Sequence, residues 1–170
     1  MTKWTIDPAH SEVGFRIQHL MISNVKGRFK KIAGEVESTT DDFKSSKISF
    51  TADIASLDTG SEQRDKHLNT AEFFNAEKYS ELKFTGKTYD GRQLEGDLTI
   101  AGITKPVTLH AEFGGIAKDP YGNTKAGFSI TGMIHRKDWG LTWNAALESG
   151  GVMVSDEVFI SADIQLLKKV

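Results

Sequence analysis

The stretch Leu82-Lys-Phe-Thr-Gly-Lys-Thr-Tyr-Asp-Gly-Arg-Gln-Leu-Glu-Gly-Asp-Leu-Thr-Ile100 decides the fold of this 170-residue chain. On both sides of its centre, apolar or small residues alternate with polar ones, which is typical of strands with one buried face. The Asp90-Gly91 pair between the two halves is a residue pair preferred in tight β-hairpin turns. The stretch therefore predicts two neighbouring antiparallel strands.

Six further stretches show the same two-residue alternation, three on each side of this hairpin: 12–19, 26–38, 47–54, 107–113, 126–136 and 158–166. A change of phase in the second stretch predicts a bulge near Lys30 and Lys31. Eight such strands with hairpin-like spacing predict an all-β fold, an eight-stranded antiparallel closed barrel rather than a sandwich. Residues 1–170 are then most simply one domain.

Residues 57–79, between the third and fourth strands, do not follow the alternation. Thr59 is followed three residues later by Glu62, and Asn69 likewise by Glu72, both of which are capping-box spacings. We expect a short helical insertion here, which we call the lid. On one interpretation the lid is an amphipathic plug at the end of the barrel, and on the other it carries residues that hold a ligand.

The inward positions of the strands include several small residues where a packed core would favour larger ones: Gly34, Gly86, Gly96, Gly132, Ala52, Ala111, Ala126 and Ala162. An eight-stranded barrel is either just filled by side chains or just wide enough for one small ligand. The glycines serve strand bends on one interpretation and leave a cavity on the other. The residues expected to line an apolar pocket are Phe15, Ile17, Phe50, Ile54, Phe73, Phe84, Leu98, Ile100, Phe128, Ile130, Trp139 and Trp143.

If the strands run up and down in order, one end of the barrel receives the lid and the long connection 137–154, and the other receives short turns. His19 and Arg136 then face inward at the lid end. We expect a site there for the polar head group of a ligand, formed by His19, Arg64, Asp65, His67 and Arg136. Histidine and arginine can hydrogen-bond a hydroxyl, carbonyl or phosphate group. The alternatives are that His19 is a structural residue and that Arg136 pairs with Asp65.

The composition excludes several classes of function. A net charge of −2 and a pI near 6.2 give no electrostatic reason to expect nucleic acid as a partner. Without cysteine the chain has no disulfide and no thiolate metal site. No phosphate-binding loop, nucleophile elbow or zinc-protease motif occurs, and we expect neither a metal nor a cofactor. The first residues lack an apolar leader and no window has the length of a transmembrane segment, so a cytoplasmic location is expected.

Several fragments, in a fixed order, carry a resemblance to a known family: Trp4-Thr-Ile-Asp-Pro-Ala-His-Ser11, Val13-Gly-Phe15, His19, Asp58-Thr-Gly60, Arg64-Asp-Lys-His-Leu68, Glu72-Phe-Phe74, Gly96-Asp-Leu-Thr-Ile100, Thr104-Lys-Pro-Val-Thr-Leu109 and Arg136-Lys-Asp-Trp-Gly-Leu141. Over essentially its whole length the chain resembles the bacterial YceI-like family of lipid-binding barrels. The resemblance implies an extended, lipocalin-like barrel that holds a polyisoprenoid or a similar long-chain amphiphile, with no established catalysis. Family members are often periplasmic and are frequently dimeric in crystals, so a homodimer is one expectation.

The resulting hypothesis is a non-catalytic binding or carrier protein. It holds a polyisoprenoid, an isoprenoid quinone or a fatty-chain ligand in the barrel, with the polar head at the helix-capped end. Burying one CH₂ group is worth about 0.8 kcal/mol, so a chain of about ten carbons gives useful affinity before any polar contact. The alternatives are an enzyme acting on a small apolar substrate, with His19 or His67 as general base, and a filled barrel with an interaction role.

Overall fold

The computed structural model describes residues 1–20, 22–142 and 154–169. In these ranges the strands are β1 (Thr2–Ile6), β2 (Glu12–His19), β3 (Ser23–Phe29), β4 (Ile32–Ser38), β5 (Ser46–Asp53), β6 (Leu57–Asp58), β7 (Glu81–Tyr89), β8 (Gln93–Ile100), β9 (Ile103–Lys118), β10 (Thr124–His135) and β11 (Val154–Lys168). The helical elements are α1 (Glu62–Leu68) and the 3₁₀ turns Pro8–His10, Ile54–Ser56 and Arg136–Trp139. Across the described ranges, no helix has the length and apolar character needed to cross a membrane.

The strands form one antiparallel sheet in the order β1-β4-β5-β7-β8-β9-β10-β11-β2-β3-β6, and pairing of β1 with β11 closes it. β1 pairs with β4 and β11, whereas β2 pairs with β3 and β11. β1 and β2 therefore act as one bent strand, and β3 and β4 act as another. The two-residue β6 only extends the sheet beside β3. The fold is thus the eight-stranded antiparallel closed barrel that the sequence predicts.

The predicted bulge near Lys30 and Lys31 is the bend between β3 and β4. The backbone N–H of Lys30 donates to the carbonyl of Ser56 at 3.2 Å, and that of Lys31 donates to the Ser56 hydroxyl at 3.0 Å. These backbone groups leave the strand ladder, as expected at an irregularity in a strand. Because of the bend, β3 pairs with β2 and β4 pairs with β1, although β3 and β4 form one continuous stretch of chain.

The sequence pattern does not predict β1, because Thr2–Ile6 is short and Trp4 is its one fully buried residue. Trp4 lies opposite Val36 on β4 and Lys168 on β11. The strand is therefore defined by its two neighbours, which are distant in sequence, and not by its own alternation. By pairing with both β4 and β11, β1 closes the barrel.

The two ends of the barrel differ as the up-and-down order requires. We call the end that receives the lid, the 101–102 turn and the strand ends His19 and His135 the lid end. The floor end carries the turns at 39–45, 90–92 and 119–123. Between the two ends the inward side chains of all the strands form the hydrophobic core.

The inward glycines make room for side chains of neighbouring strands. A Cβ atom at Gly96 would lie 2.6 Å from Cζ of Phe84, and one at Gly27 would lie 2.5 Å from Cζ of Phe15. These distances are too short for a real contact, so the two phenyl rings need glycine beneath them. Each ring therefore packs over a glycine of the neighbouring strand and takes up space that a larger residue there would fill.

Candidate functional site

The barrel encloses a cavity of about 640 Å³. This volume is within the range of small-molecule binding pockets, roughly 300–1,000 Å³. Each of the eight barrel strands contributes apolar side chains to the wall of the cavity, among them Phe15, Val36, Phe50, Phe84, Leu98, Leu109, Ile130 and Ile160. The cavity thus offers a long apolar surface to a ligand.

The floor end of the cavity is closed by the ring of Phe43, from the turn between β4 and β5. Phe43 is only 2% exposed. Its ring centroid lies 5.2 Å from that of Trp4, 5.4 Å from that of Phe113 and 5.1 Å from that of Phe128. Tilted and edge-on contacts at these distances are favourable for aromatic pairs. We call these four residues the floor cluster.

Within the lid, helix α1 is tied to Thr59, which directly follows β6 and also lines the cavity. The Asp65 carboxylate accepts hydrogen bonds from the Thr59 N–H at 3.0 Å and from its hydroxyl at 2.5 Å. Arg64 donates from Nε to the Thr59 hydroxyl oxygen at 2.7 Å and from Nη2 to the Thr59 carbonyl at 2.6 Å. We call Thr59, Arg64 and Asp65 the lid clamp. It fixes the first turn of α1 to the segment that leaves the barrel.

Both predicted capping boxes are wrong. Helix α1 begins after Ser61, whose hydroxyl accepts from the Arg64 N–H at 3.3 Å. The hydroxyl of Thr59 is engaged in the lid clamp and does not cap the helix. Asn69 ends α1 and does not begin another helix, and its Nδ2 donates to the Asp65 carbonyl at 2.7 Å.

The histidine and arginine side chains that line the cavity lie at its lid end. His19 is the cross-strand partner of Val154, and Arg136 donates from Nη2 to the Val154 carbonyl at 3.2 Å. His67 on α1 hydrogen-bonds through Nε2 to the Glu72 carboxylate. These contacts place polar groups from β2, the lid and the 3₁₀ turn after β10 around one end of an apolar bore.

Arg136 is buried, with 3% exposure, and its guanidinium is held by backbone carbonyls. Nε donates to Ser155 at 2.9 Å, and Nη1 donates to Leu141 at 2.6 Å. Burial lowers the pKa of Arg136 from its ordinary value, because desolvation disfavours the charged form, and Asp156 nearby opposes this shift. Arg136 thus connects the end of β10 to the start of β11.

The structure places four of the five predicted head-group residues on the cavity wall: His19, Arg64, His67 and Arg136. The fifth, Asp65, is not on the wall, because its carboxylate accepts from Thr59 in the lid clamp. Alternation along a strand predicts which face a residue occupies. It does not predict the hydrogen-bond partner of a residue on the helical lid.

Nine predicted pocket residues line the cavity: Phe15, Ile17, Phe50, Phe73, Phe84, Leu98, Ile100, Phe128 and Ile130. Two others are buried elsewhere, which corrects the prediction. Ile54 lies in a 3₁₀ turn beyond the end of β5, and its N–H donates to the Ser80 carbonyl at 2.9 Å. Trp139 lies in the turn after β10, where its indole Nε1 donates to the Leu98 carbonyl at 2.9 Å. Trp143 lies outside the described residues.

Sequence reasoning misses the floor of the cavity. Phe43 lies in a stretch that predicts only a polar turn, and the single aromatic residue between Asp42 and Lys44 is the signal that points to it. Tyr89, before the Asp-Gly turn, also lines the cavity, and its hydroxyl donates to the Ala111 carbonyl at 2.9 Å. Burial raises the pKa of Tyr89 above its ordinary value, so its phenol stays protonated as a donor.

The chemistry at the lid end is that of hydrogen-bond donors beside an apolar wall. In the ranges that the structure describes, no three histidine, aspartate or glutamate side chains are close enough to hold a metal ion. Ser61 and Gln63 add a hydroxyl and an amide to the histidines and arginines there. Such an arrangement can orient a polar head while the wall desolvates an attached chain.

Comparison with known proteins gives a consistent result. A sequence model of the YceI-like domain matches residues 4–166. A UPF0312 protein of Staphylococcus aureus is 39% identical over 166 residues, which cover 97% of each chain. The crystal structure of the YceI protein of Campylobacter jejuni is 38% identical, with a TM-score of 0.76 over 96% of each chain. A polyisoprenoid binding domain of Saccharophagus degradans has a TM-score of 0.70 over 98% of each chain at 14% identity, a likeness of fold alone.

Proposed function

The chain belongs to the YceI-like family, and on this premise we propose that it is a binding protein for a long apolar chain. The ligand is a polyisoprenoid, an isoprenoid quinone or a fatty chain, held in the barrel with its polar head under the lid. The observation that carries this proposal is the cavity itself, an apolar bore with an aromatic floor at one end and histidine and arginine side chains at the other.

The free energy of binding comes from burying the apolar chain of the ligand against the wall of the cavity. Burying ten methylene groups is worth about 8 kcal/mol, at about 0.8 kcal/mol each. Association itself costs on the order of 4–15 kcal/mol in lost translational and rotational freedom. A ten-carbon chain therefore only offsets this cost, which corrects the expectation that about ten carbons are enough, and the comparison favours longer chains.

Arg64 is the residue best placed to bind an anionic or hydroxylated head. Of the five N–H donors of a guanidinium, it uses one on Nε and one on Nη2 for Thr59, which leaves three without a partner among the described residues. His19, Gln63 and His67 surround the same end of the cavity. Asp65 and Arg136 act indirectly in this proposal, because Asp65 holds the lid and Arg136 holds the strand ends beneath it.

The Saccharophagus degradans domain, described as polyisoprenoid binding, suggests which ligand class to test first. We expect organic extraction of the protein from its native host to release a chain lipid that mass spectrometry identifies. Purified protein should bind prenyl alcohols with submicromolar affinity. The absence of any chain lipid, together with no prenyl or acyl probe binding better than about micromolar, which is about −8 kcal/mol, contradicts the proposal.

The head-group assignment is tested with Arg64→Ala. Loss of a charged hydrogen bond is worth about 1.5–3 kcal/mol, so a prenyl phosphate should bind about 10–100-fold more weakly, and the matching prenyl alcohol should lose much less. Because R64A also breaks the lid clamp, Thr59→Val is the matched control: it removes the clamp hydroxyl and keeps the guanidinium. Equal losses for R64A and T59V would show that Arg64 acts only through the lid.

A second candidate function is an enzyme acting on a small apolar substrate, and one observation favours it. His67 lines the cavity while its Nε2 hydrogen-bonds to Glu72, and a carboxylate in this position orients the imidazole of a general base. An enzyme should lose turnover in His67→Ala and keep substrate affinity within a few-fold. Recovery of chemically unchanged lipid after prolonged incubation supports the binding protein instead.

Two further expectations complete the proposal. We propose a cytoplasmic location, and fractionation of host cells tests it. We also infer a homodimer from the family resemblance. Sedimentation velocity with and without a chain lipid measures the oligomeric state directly.

A further inference from the structure

The turn that carries Phe43 is built to hold an aromatic ring inside the barrel. Phe43 has a φ of +64°, in the left-handed region that a bulky residue rarely adopts. The Asp42 carboxylate accepts from the Thr40 hydroxyl at 2.6 Å and from the Lys44 N–H at 3.1 Å, and the Ser46 hydroxyl donates to the Phe43 carbonyl at 2.6 Å. These hydrogen bonds maintain a backbone conformation that turns the ring away from solvent.

Within the floor cluster, Phe43 and Phe128 line the cavity, whereas Trp4 and Phe113 do not. Phe43 packs against residues of β1, β9 and β10 at once. Its ring therefore lies across the end of the bore, supported from behind by the other rings. A chain that enters at the lid end and extends along the wall ends at this ring.

From this placement we propose that Phe43 sets the length of the chain that the protein accepts. The inference rests on the proposed function and specifies its ligand. A head group fixed near Arg64 and His67 leaves a defined distance to the floor. Up to that length each added methylene should tighten binding about fourfold. A longer chain must displace the ring of Phe43 or withdraw its head group from the lid end, so the gain per carbon stops.

The test measures dissociation constants for a series of saturated fatty alcohols and a series of prenyl alcohols. The wild-type protein should show affinity that rises with chain length and then levels off. In Phe43→Ala the levelling point should move to chains longer by about four to six carbons, because six ring carbons are removed and the space relaxes only partly. Phe43→Leu keeps an apolar but smaller side chain at the floor, so the levelling point should shift by fewer carbons. This variant provides the measurement if F43A does not fold.

Phe113→Ala is the matched control, since it removes a ring from the same cluster that does not line the cavity. It should lower the unfolding temperature as F43A does and leave the levelling point where it is in the wild type. Circular dichroism and thermal melts establish that each variant is folded before binding is measured.

The failure of this inference can be told apart from the failure of the proposed function. If the wild type binds chains but the levelling point is the same in F43A, F43L and the wild type, Phe43 does not set the accepted chain length and the proposed binding function stands. If F113A moves the levelling point as far as F43A, the whole cluster and not Phe43 sets it, and the inference is overturned. If no chain of any length binds, the proposed function and the inference both fail.

Discussion

Asp7 is a buried carboxylate at the bend between β1 and β2, with 8% exposure. It accepts from Lys125 Nζ at 2.9 Å and from the Ala9 N–H at 3.2 Å, and it lies 2.8 Å from Nδ1 of His10. The hydrogen bond from Lys125 holds the pKa of Asp7 below its ordinary value of 3.8, against the opposing effect of burial. One side chain thereby joins the bend of the first strand to β10.

We expect Asp7→Asn to lower the free energy of unfolding at pH 7 by about 1–3 kcal/mol, as for the loss of a charged hydrogen bond. Because folding lowers the pKa of Asp7, its contribution is fully present above its unfolded-state pKa, near 3.8. The contribution is lost as pH falls through the lower folded-state pKa. The difference between wild type and D7N should therefore shrink below about pH 4. Urea unfolding of both proteins between pH 3 and pH 7 measures it.

Asp97→Asn is the control for this measurement. Asp97 pairs with Lys87 at 3.1 Å on the outside of the barrel, where the lysine side chain is exposed and the aspartate side chain is partly exposed. An exposed pair is worth about 0–1 kcal/mol, so D97N should change the free energy of unfolding much less than D7N. A D7N difference that is no larger than this, or that does not change with pH, argues against the role assigned to Asp7.

For single residues, the sequence predicts which face of a strand a side chain occupies better than it predicts the hydrogen-bond partner of that side chain. His19 follows the alternation of β2, and it lies on the cavity wall as its parity indicates. Trp139 and Asp65 lie outside the strands, so no alternation constrains them, and their hydrogen bonds to Leu98 and Thr59 decide where they point. Such partners are set by packing between distant segments and are absent from any local pattern.

The lid clamp determines how firmly the lid is held. Only the first turn of α1 contributes to the clamp, and the helix has seven residues, too few to be stable without tertiary contacts. Leu68 and Phe74 pack against the core from the far end of the lid. Helix α1 is therefore held at two places, by hydrogen bonds to Thr59 and by apolar contacts of Leu68, its last residue, and of Phe74 beyond it.

We expect Thr59→Val to loosen the lid without unfolding the barrel. It removes the hydroxyl that donates to Asp65 and accepts from Arg64, which should lower the free energy of lid opening by about 1–2 kcal/mol. Amide hydrogen exchange in α1 should then be about 5–30-fold faster, with unchanged exchange in β8 and β9. Release of a bound prenyl alcohol should accelerate in parallel.

Thr70→Val is the matched control, because the Thr70 hydroxyl donates to the His67 carbonyl at 2.6 Å at the exposed end of the helix and takes no part in the clamp. It should leave the ligand release rate unchanged. If T59V and T70V have the same exchange rates in α1, the clamp does not hold the lid.

Whole elements could be predicted where one face is buried throughout, as in β8, or where apolar and polar residues alternate regularly, as in β5. The change of phase at Phe29 could also be predicted, because it moves a buried ring to the other parity. The start of α1 could not, since Thr59 and Ser61 both have the chemistry of a cap and only the clamp decides between them. β1 could not either, because long-range pairing defines it.

For the whole molecule, alternation in eight stretches was enough to predict closure, whereas the inward glycines left both strand bends and a cavity open. Pairs such as Phe84 over Gly96, which show what these glycines accommodate, depend on strand register. The floor depends on contacts of Phe43 with Phe113 and Phe128, about 70 and 85 residues further along the chain. The lone aromatic residue in the polar turn marks Phe43, but no local pattern predicts partners at such separation.

Because the barrel is hollow, the same substitution to leucine at two buried alanines should have opposite effects on stability and on ligand binding. Ala162 lines the cavity, whereas Ala126 is 1% exposed and does not line it. In Ala162→Leu the added methine and methyl groups enter the bore, so we expect unchanged or higher stability of the free protein, by up to about 1 kcal/mol, and at least tenfold weaker binding of a prenyl alcohol. In Ala126→Leu the same groups overpack a filled site, so stability should fall by about 1–3 kcal/mol and the affinity of the folded protein should stay the same. Thermal melts and ligand titrations of the two variants decide the matter: if A162L is destabilised as much as A126L, side chains already fill the bore at that level and a chain ligand has no path to the floor.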